Sequence, residues 1–108
     1  MAEIPDSVIN KINKFLLLIE DKQIRIQKAV LFGSYASGNY NEWSDIDLAL
    51  VSDDFSGNNF KDKLELIDLI FAAGKDLSPV TFTSYDYNNS LFARDEIEKK
   101  GILIKSAY

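Results

Sequence analysis

The stretch AVLFGSYASGNYNEWSDIDLALV, residues 29–51, decides how the rest of this chain is read. It opens on Ala29-Val30-Leu31-Phe32, an apolar run that reads as a strand covered on both faces. The run stops at Gly33. A glycine there lets the backbone approach a phosphate closely, and the following amides and the Ser34 hydroxyl can donate hydrogen bonds to it. Gly38, Asn39 and Asn41 mark an irregular passage, with one helical turn expected from Ser34 to Ser37. Strand character returns in Ile46-Asp47-Leu48-Ala49-Leu50-Val51. Asp45 and Asp47 are separated by one residue at its entrance, so in a strand both side chains project from the same face. Such carboxylates repel unless a cation sits between them, and Mg2+, which takes oxygen ligands and keeps part of its shell for water and substrate phosphates, suits the pair. Taken singly, each feature has a plainer reading: a tight turn at Gly33-Ser34, and solvated acids at a strand entrance.

Upstream, Pro5 and Asp6-Ser7 look like a helix start, and Val8, Ile9, Ile12, Phe15, Leu16 and Ile19 recur at helical spacing, which predicts a helix over about residues 5–22. Ile24 and Ile26 alternate with Arg25 and Gln27 and lead into the first strand. Downstream, Ser52 to Asn59 is a polar loop, after which Phe60, Leu64, Ile67, Ile70 and Phe71 predict a second long helix up to Gly74. Leu77 to Thr83 can form a short strand, where Pro79 belongs at an edge or at the strand's start because it cannot donate to a ladder. Residues 84–90 read as a polar turn. Leu91 to Lys100 reads as a last helix closed by Gly101, with Lys99 and Lys100 suiting its negative end, and Ile102 to Ile104 as a terminal strand. Alternating helices and strands predict an α/β (α+β) fold, a sheet with helices packed on it and ligand sites at strand ends.

At 108 residues the expectation is a single domain, 1–108, whose substrate docks on its surface. The hydrophobic content of 46% and charged content of 27% are those of an ordinary globular protein, and no apolar run approaches a membrane span. With no recognisable secretory signal, the chain is expected in the cytoplasm. Seventeen acids against twelve bases give a net charge of −5, which opposes stable attachment to nucleic acid. There are no cysteines and no histidines, so thiol nucleophiles, the usual zinc ligands and imidazole proton shuttles are excluded. Chemistry must run on carboxylates, hydroxyls, lysine or bound metal. The absence of a Gly-x-x-x-x-Gly-Lys-Ser/Thr run argues against P-loop chemistry.

The joint pattern, Gly33-Ser34 followed a dozen residues later by Asp45-Ile46-Asp47, resembles the minimal nucleotidyltransferases of the DNA polymerase β superfamily. The order of elements resembles them too, over nearly the whole chain. The resemblance implies a polymerase β palm-like fold with a mixed sheet flanked by helices. It implies that Gly33 and Ser34 bind the phosphates of a nucleoside triphosphate, and that Asp45 and Asp47 are catalytic and bind two Mg2+ ions. It also implies transfer of a nucleoside monophosphate, AMP from ATP, to a hydroxyl of a protein partner. Single-domain relatives are often antitoxins that adenylylate a separate all-helical HEPN ribonuclease toxin. Two departures stand out. Relatives usually add a third carboxylate where this chain has Ser78, for which Asp76 offers a substitute, and many carry an arginine where Ser37 stands. Lys28, Lys61 or Lys75 are candidates to replace that cation. The alternative reading is a weakened or inactive nucleotidyltransferase-fold module that only caps its helical partner. Trp43 and Tyr35 flank the expected site and could stack on a base, although loop aromatics more often cover core edges. A small domain with an exposed edge strand is also a candidate homodimer.

Overall fold

The computed structural model describes residues 3–106. The first helix, α1 (Asp6–Asp21), buries Val8, Ile12, Phe15, Leu16 and Ile19, the stripe its spacing predicts. Burying each of these is worth about 1.5–3 kcal/mol, so this face, rather than helix propensity, holds α1 to the sheet. Its end is a Schellman turn. Ile24 N donates to Ile19 O, Gln23 N donates to Glu20 O, and Gln23 takes the left-handed conformation at φ 66°. This turn corrects the expectation of a strand from Ile24. Ile24 closes the helix, Arg25 N donates to the Asp54 carboxylate, and β1 (Lys28–Phe32) starts four residues later.

A four-residue helix, α2 (Ser34–Ser37), follows the strand as expected, and β2 (Ile46–Val51) returns antiparallel to β1. The second long helix is two, α3 (Asn59–Glu65) and α4 (Ile67–Ala73), joined at buried Leu66. Of the apolar stripe expected to face the core here, only Ile70 is buried; Phe60, Leu64, Ile67 and Phe71 face outward. Polar anchors explain the reversal. Asn59 Oδ1 accepts Thr81 N at 2.9 Å, and the Asp62 carboxylate, 2% exposed, accepts Ser56 N at 3.0 Å. Leaving the buried Thr81 amide or the buried Asp62 carboxylate without a partner would cost about 1–3 kcal/mol or more, which fixes the rotation of α3.

The third strand, β3 (Leu77–Phe82), runs parallel to β2 at one edge of the sheet, whose order is β3-β2-β1-β4. Pro79 shares the parity of Thr81, whose N–H points away from β2 to Asn59, so its missing donor faces outward and costs no ladder bond. Residues expected as a polar turn form a short helix, α5 (Ser84–Asn88), capped by the Thr83 side chain accepting from Asp86 N. The last helix, α6 (Ala93–Glu98), winds as a π-helix, and β4 (Ile102–Ser106) pairs antiparallel with β1 and outlasts the expected Ile104.

Two cores result. Ala29, Leu31, Ile46, Leu48 and Leu50 meet α1 and α4 on one face of the sheet. Val30, Phe32, Ala49 and Val51 meet Tyr87, Ala93 and Ile97 on the other. Residues of alternate parity in β1 and β2 therefore serve opposite layers, as continuous apolar runs demand. No helix among the described residues is long and apolar enough to cross a membrane.

Candidate active site

The topology gathers one end of every strand. The end of β1, the starts of β2 and β3, and the start of β4 lie together, because β2 is antiparallel to β1 and parallel to β3, and β4 is antiparallel to β1. Gly33, Asp45, Asp47, Asp76, Ser78 and Lys100 are all carried to this end.

Gly33 has φ 74° and ψ −148°, a conformation closed to ordinary side chains. A Cβ at that position would overlap Asp47 Oδ2 and lie 3.1 Å from Asp47 Cγ. Phe32 pairs with Asp47 across the sheet. The carboxylate thus rests on the bare Cα of the turn, with no side chain between them. Gly33 O accepts Ala36 N and Ser37 N, while the first amides of α2, those of Ser34 and Tyr35, have no carbonyl within so short a helix to bond. Ser34 is half-buried with these donors beside the acidic pair.

Ile46 and Leu48 are fully buried in the α1 layer, so Asp45 and Asp47 share the opposite parity. Asp45 is exposed and Asp47 half-buried. Burial, and then the charge of Asp45, hold the Asp47 carboxyl above its ordinary range. Among the described residues no cation or hydrogen-bond donor meets either carboxylate. Ser78 pairs with Asp47 on the neighbouring strand, so the position expected to carry a third acid does lie next to the pair and holds a hydroxyl. Asp76 is engaged elsewhere. Lys11 of α1 grips both Asp76 oxygens at 3.0 and 3.1 Å, on the layer opposite Asp47, and among the described residues no three acids come together. Two adjacent carboxylates, one of them hindered in ionising by burial and then by the charge of the other, with a hydroxyl alongside, fit a hard divalent cation that shares its shell with a substrate.

The lysines sort by place. Lys28 begins β1 at the far end, paired with Glu98 and lying over the Tyr87 ring, and Lys61 sits beyond the far end of β3, so neither reaches the turn. Lys75 stands just before β3 at the site's end. Lys100, read from sequence as a helix end only, lines a groove of about 390 Å3 with Phe32, Gly33, Ser37, Phe92 and Glu96. Only the antiparallel return of β4 brings it there, and no local signal foretold it. The aromatics also divide: Tyr35 is buried and stacks on Tyr40 at 4.5 Å, whereas Trp43 is 84% exposed.

A glycine-serine turn against paired acids, on adjacent antiparallel strands of a mixed sheet, is the arrangement of a nucleotidyltransferase. The chain belongs to the polymerase β nucleotidyltransferase family, whose pattern matches residues 10–107. A candidate protein adenylyltransferase of Methanocaldococcus jannaschii is 62% identical over 29 residues, which are 27% of this chain and 29% of that relative. Among solved structures, a toxin-antitoxin complex with AMP-PNP superposes with a TM-score of 0.62 at 24% identity, over 90% of this chain and 73% of the other. A mutant of the toxin-antitoxin MntA-HpeT gives 0.59 at 26% identity, over 87% and 71%. A candidate nucleotidyltransferase from Sulfolobus solfataricus gives 0.54 at 18% identity, over 99% and 93%, and shares the fold.

Proposed function

We propose that these 108 residues act as one nucleotidyltransferase domain that moves AMP from ATP onto a hydroxyl of a protein partner, the new phosphodiester forming as the α–β anhydride breaks and pyrophosphate leaves. Asp45 and Asp47 would hold Mg2+, two ions when ATP is bound, and Gly33 and Ser34 would receive the triphosphate. The observation that carries this reading is the Asp47 carboxylate pressed against Gly33 with Asp45 beside it, a like-charged pair whose repulsion a bound cation relieves. Bound there, the metal supplies charge neutralisation for the triphosphate and lowers the barrier to attack by a hydroxyl. The protein's own residues position. Gly33 clears the approach of phosphate oxygens, the amides of Ser34 and Tyr35 and the Ser34 hydroxyl donate to them, and Phe32 fixes Asp47 through the sheet. No imidazole base is needed where a carboxylate can accept the acceptor's proton.

The partner reading rests on the solved relatives, two of which are toxin-antitoxin structures. In that reading the partner is a helical HEPN-type toxin and this chain its antitoxin. Ser78 beside Asp47 favours a second reading, an inert module of the same fold that caps such a partner. Incubation with Mg2+ and ATP labelled at the α-phosphate, with and without a HEPN-type partner, separates the two. Label moved to the partner by the wild type and not by Asp45→Asn or Asp47→Asn supports catalysis. A partner that binds but never acquires label, with no nucleotide or metal binding by titration, leaves the inert module.

A further inference from the structure

The outward stripe of α3 and α4 is unexplained by the site. Phe60, Leu64, Ile67 and Phe71 are 74%, 52%, 42% and 61% exposed, and together they present on the order of 400 Å2 of apolar surface, the size at which a patch on a monomer tends to be functional. Their spacing of four, three and four residues reads the same from either end and is centred where buried Leu66 joins the two helices. A face that is unchanged on reversal is what an isologous two-fold contact requires.

The charges choose the occupant. At helical spacing Lys61 and Asp68 lie on one flank of the stripe, and Lys63 and Ile70 on the other. When two such helices pack antiparallel about a two-fold axis, like flanks meet, so Lys61 faces Asp68 of the second copy, twice over. In the same arrangement Phe60 meets Phe71 and Leu64 meets Ile67. Lys61 and Asp68 are both exposed and form no ion pair within the chain among the described residues. We infer that this chain pairs with a second copy of itself through the α3–α4 stripe, antiparallel, with two symmetric Lys61–Asp68 contacts at its rim. The contact uses the outer face of the helices that flank β3, not a strand edge itself, where pairing was expected from sequence. About 800 Å2 of apolar surface over both copies is modest, so the dimer is weak, with a dissociation constant on the order of micromolar.

Sedimentation of the full chain over a concentration series tests this, with circular dichroism as a check that each variant folds. The wild type is expected to pass from monomer to dimer as concentration rises, and Phe71→Glu to stay monomeric. Lys61→Glu and Asp68→Lys should each weaken pairing about tenfold, and the double variant should restore it, while Lys63→Glu changes it little. Restoration by the double variant cannot arise from misfolding. The inference is overturned by a wild type that remains monomeric throughout, by a dimer indifferent to Phe71→Glu, or by a double variant no better than the singles. A wild type that is monomeric alone but loses a helical partner on Phe71→Glu assigns the stripe to that partner and equally overturns it.

Discussion

Strand β2 carries an acidic pair at each end, and the two pairs live in opposite electrostatic conditions. Beyond its last residue, Asp53 accepts Ser84 N and Ser84 Oγ at 2.9 and 2.8 Å, and Gln27 Nε2 at 3.1 Å; Asp54 accepts Arg25 N at 2.8 Å. Those hydrogen bonds, led by the backbone amides of Ser84 and Arg25, pull both carboxyls below their ordinary range. At the other end Asp47 is raised by burial and by Asp45, with no donor to offset either effect. The first pair is complete within the chain and ties loops to the sheet. The second is incomplete, and its completion comes from outside. The Gly33-Ser34 turn ahead of Asp45-Ile46-Asp47 marks the second pair in the sequence, but nothing local shows that the first is satisfied; its partners Gln27, Arg25 and Ser84 lie 26 to 31 residues away.

The largest test of this contrast is catalytic. Asp47→Asn should lower transfer of α-labelled AMP by at least about 100-fold, and Asp53→Asn should leave it near wild type while lowering the melting temperature. Equal loss in both variants would falsify the division of roles. Next in size, Gly33→Ala forces a side chain into a positive φ and against Asp47, which should cost about 1–3 kcal/mol of stability in denaturant titration as well as abolishing transfer. A divalent cation sharpens the contrast further. Mg2+ at about 100 times its dissociation constant should stabilise the wild type by about 2.7 kcal/mol, seen as a rise in melting temperature, and should do so in Asp54→Asn but not in Asp45→Asn.

The two pairs should also pull stability in opposite directions with pH. Asp47 holds its proton more tightly in the fold than in the unfolded chain, so between the ordinary value of 3.8 and its raised folded value stability falls as pH rises. Asp53 and Asp54 contribute stability that is fully present above 3.8 and is lost as pH falls through their lowered folded values. Melting curves at a series of pH values should therefore lose the first slope in Asp47→Asn and show a shallower second slope in Asp53→Asn, where Asp54 still contributes. Saturating Mg2+ should flatten only the first. The smallest expected effect concerns the turn that delivers Arg25 to Asp54: Gln23→Gly relieves a left-handed residue and should gain about 0.5–1 kcal/mol in the same titration.

What could be read in advance was what local periodicity and short motifs encode. Helix α1, strands β1 and β2, the edge position of Pro79 and the nearness of Gly33 to the acids all follow from spacing and from the pleat. Long-range anchors defeated the rest. The α3–α4 stripe faces outward because Asn59 and Asp62 find partners in Thr81 and Ser56. Ile24 belongs to a helix cap rather than a strand, because Gln23 accepts a conformation that sequence patterns reserve for glycine or asparagine. Asp76 looked available beside Ser78 until Lys11, 65 residues away, claimed it. Lys100 reaches the groove only through strand order, which no single segment specifies.

The pairing of Phe32 with Asp47 has one more consequence. Since the spacing between turn and acids is set by two neighbouring strands, while Gly38 caps α2 and Tyr40 is held by its stack on Tyr35, the part of the joining passage that bears none of this geometry is its exposed tip around Trp43. It can lengthen, shorten or exchange residues such as Trp43 without disturbing the reactive geometry. A lineage can therefore rewrite what this rim touches while inheriting the chemistry intact.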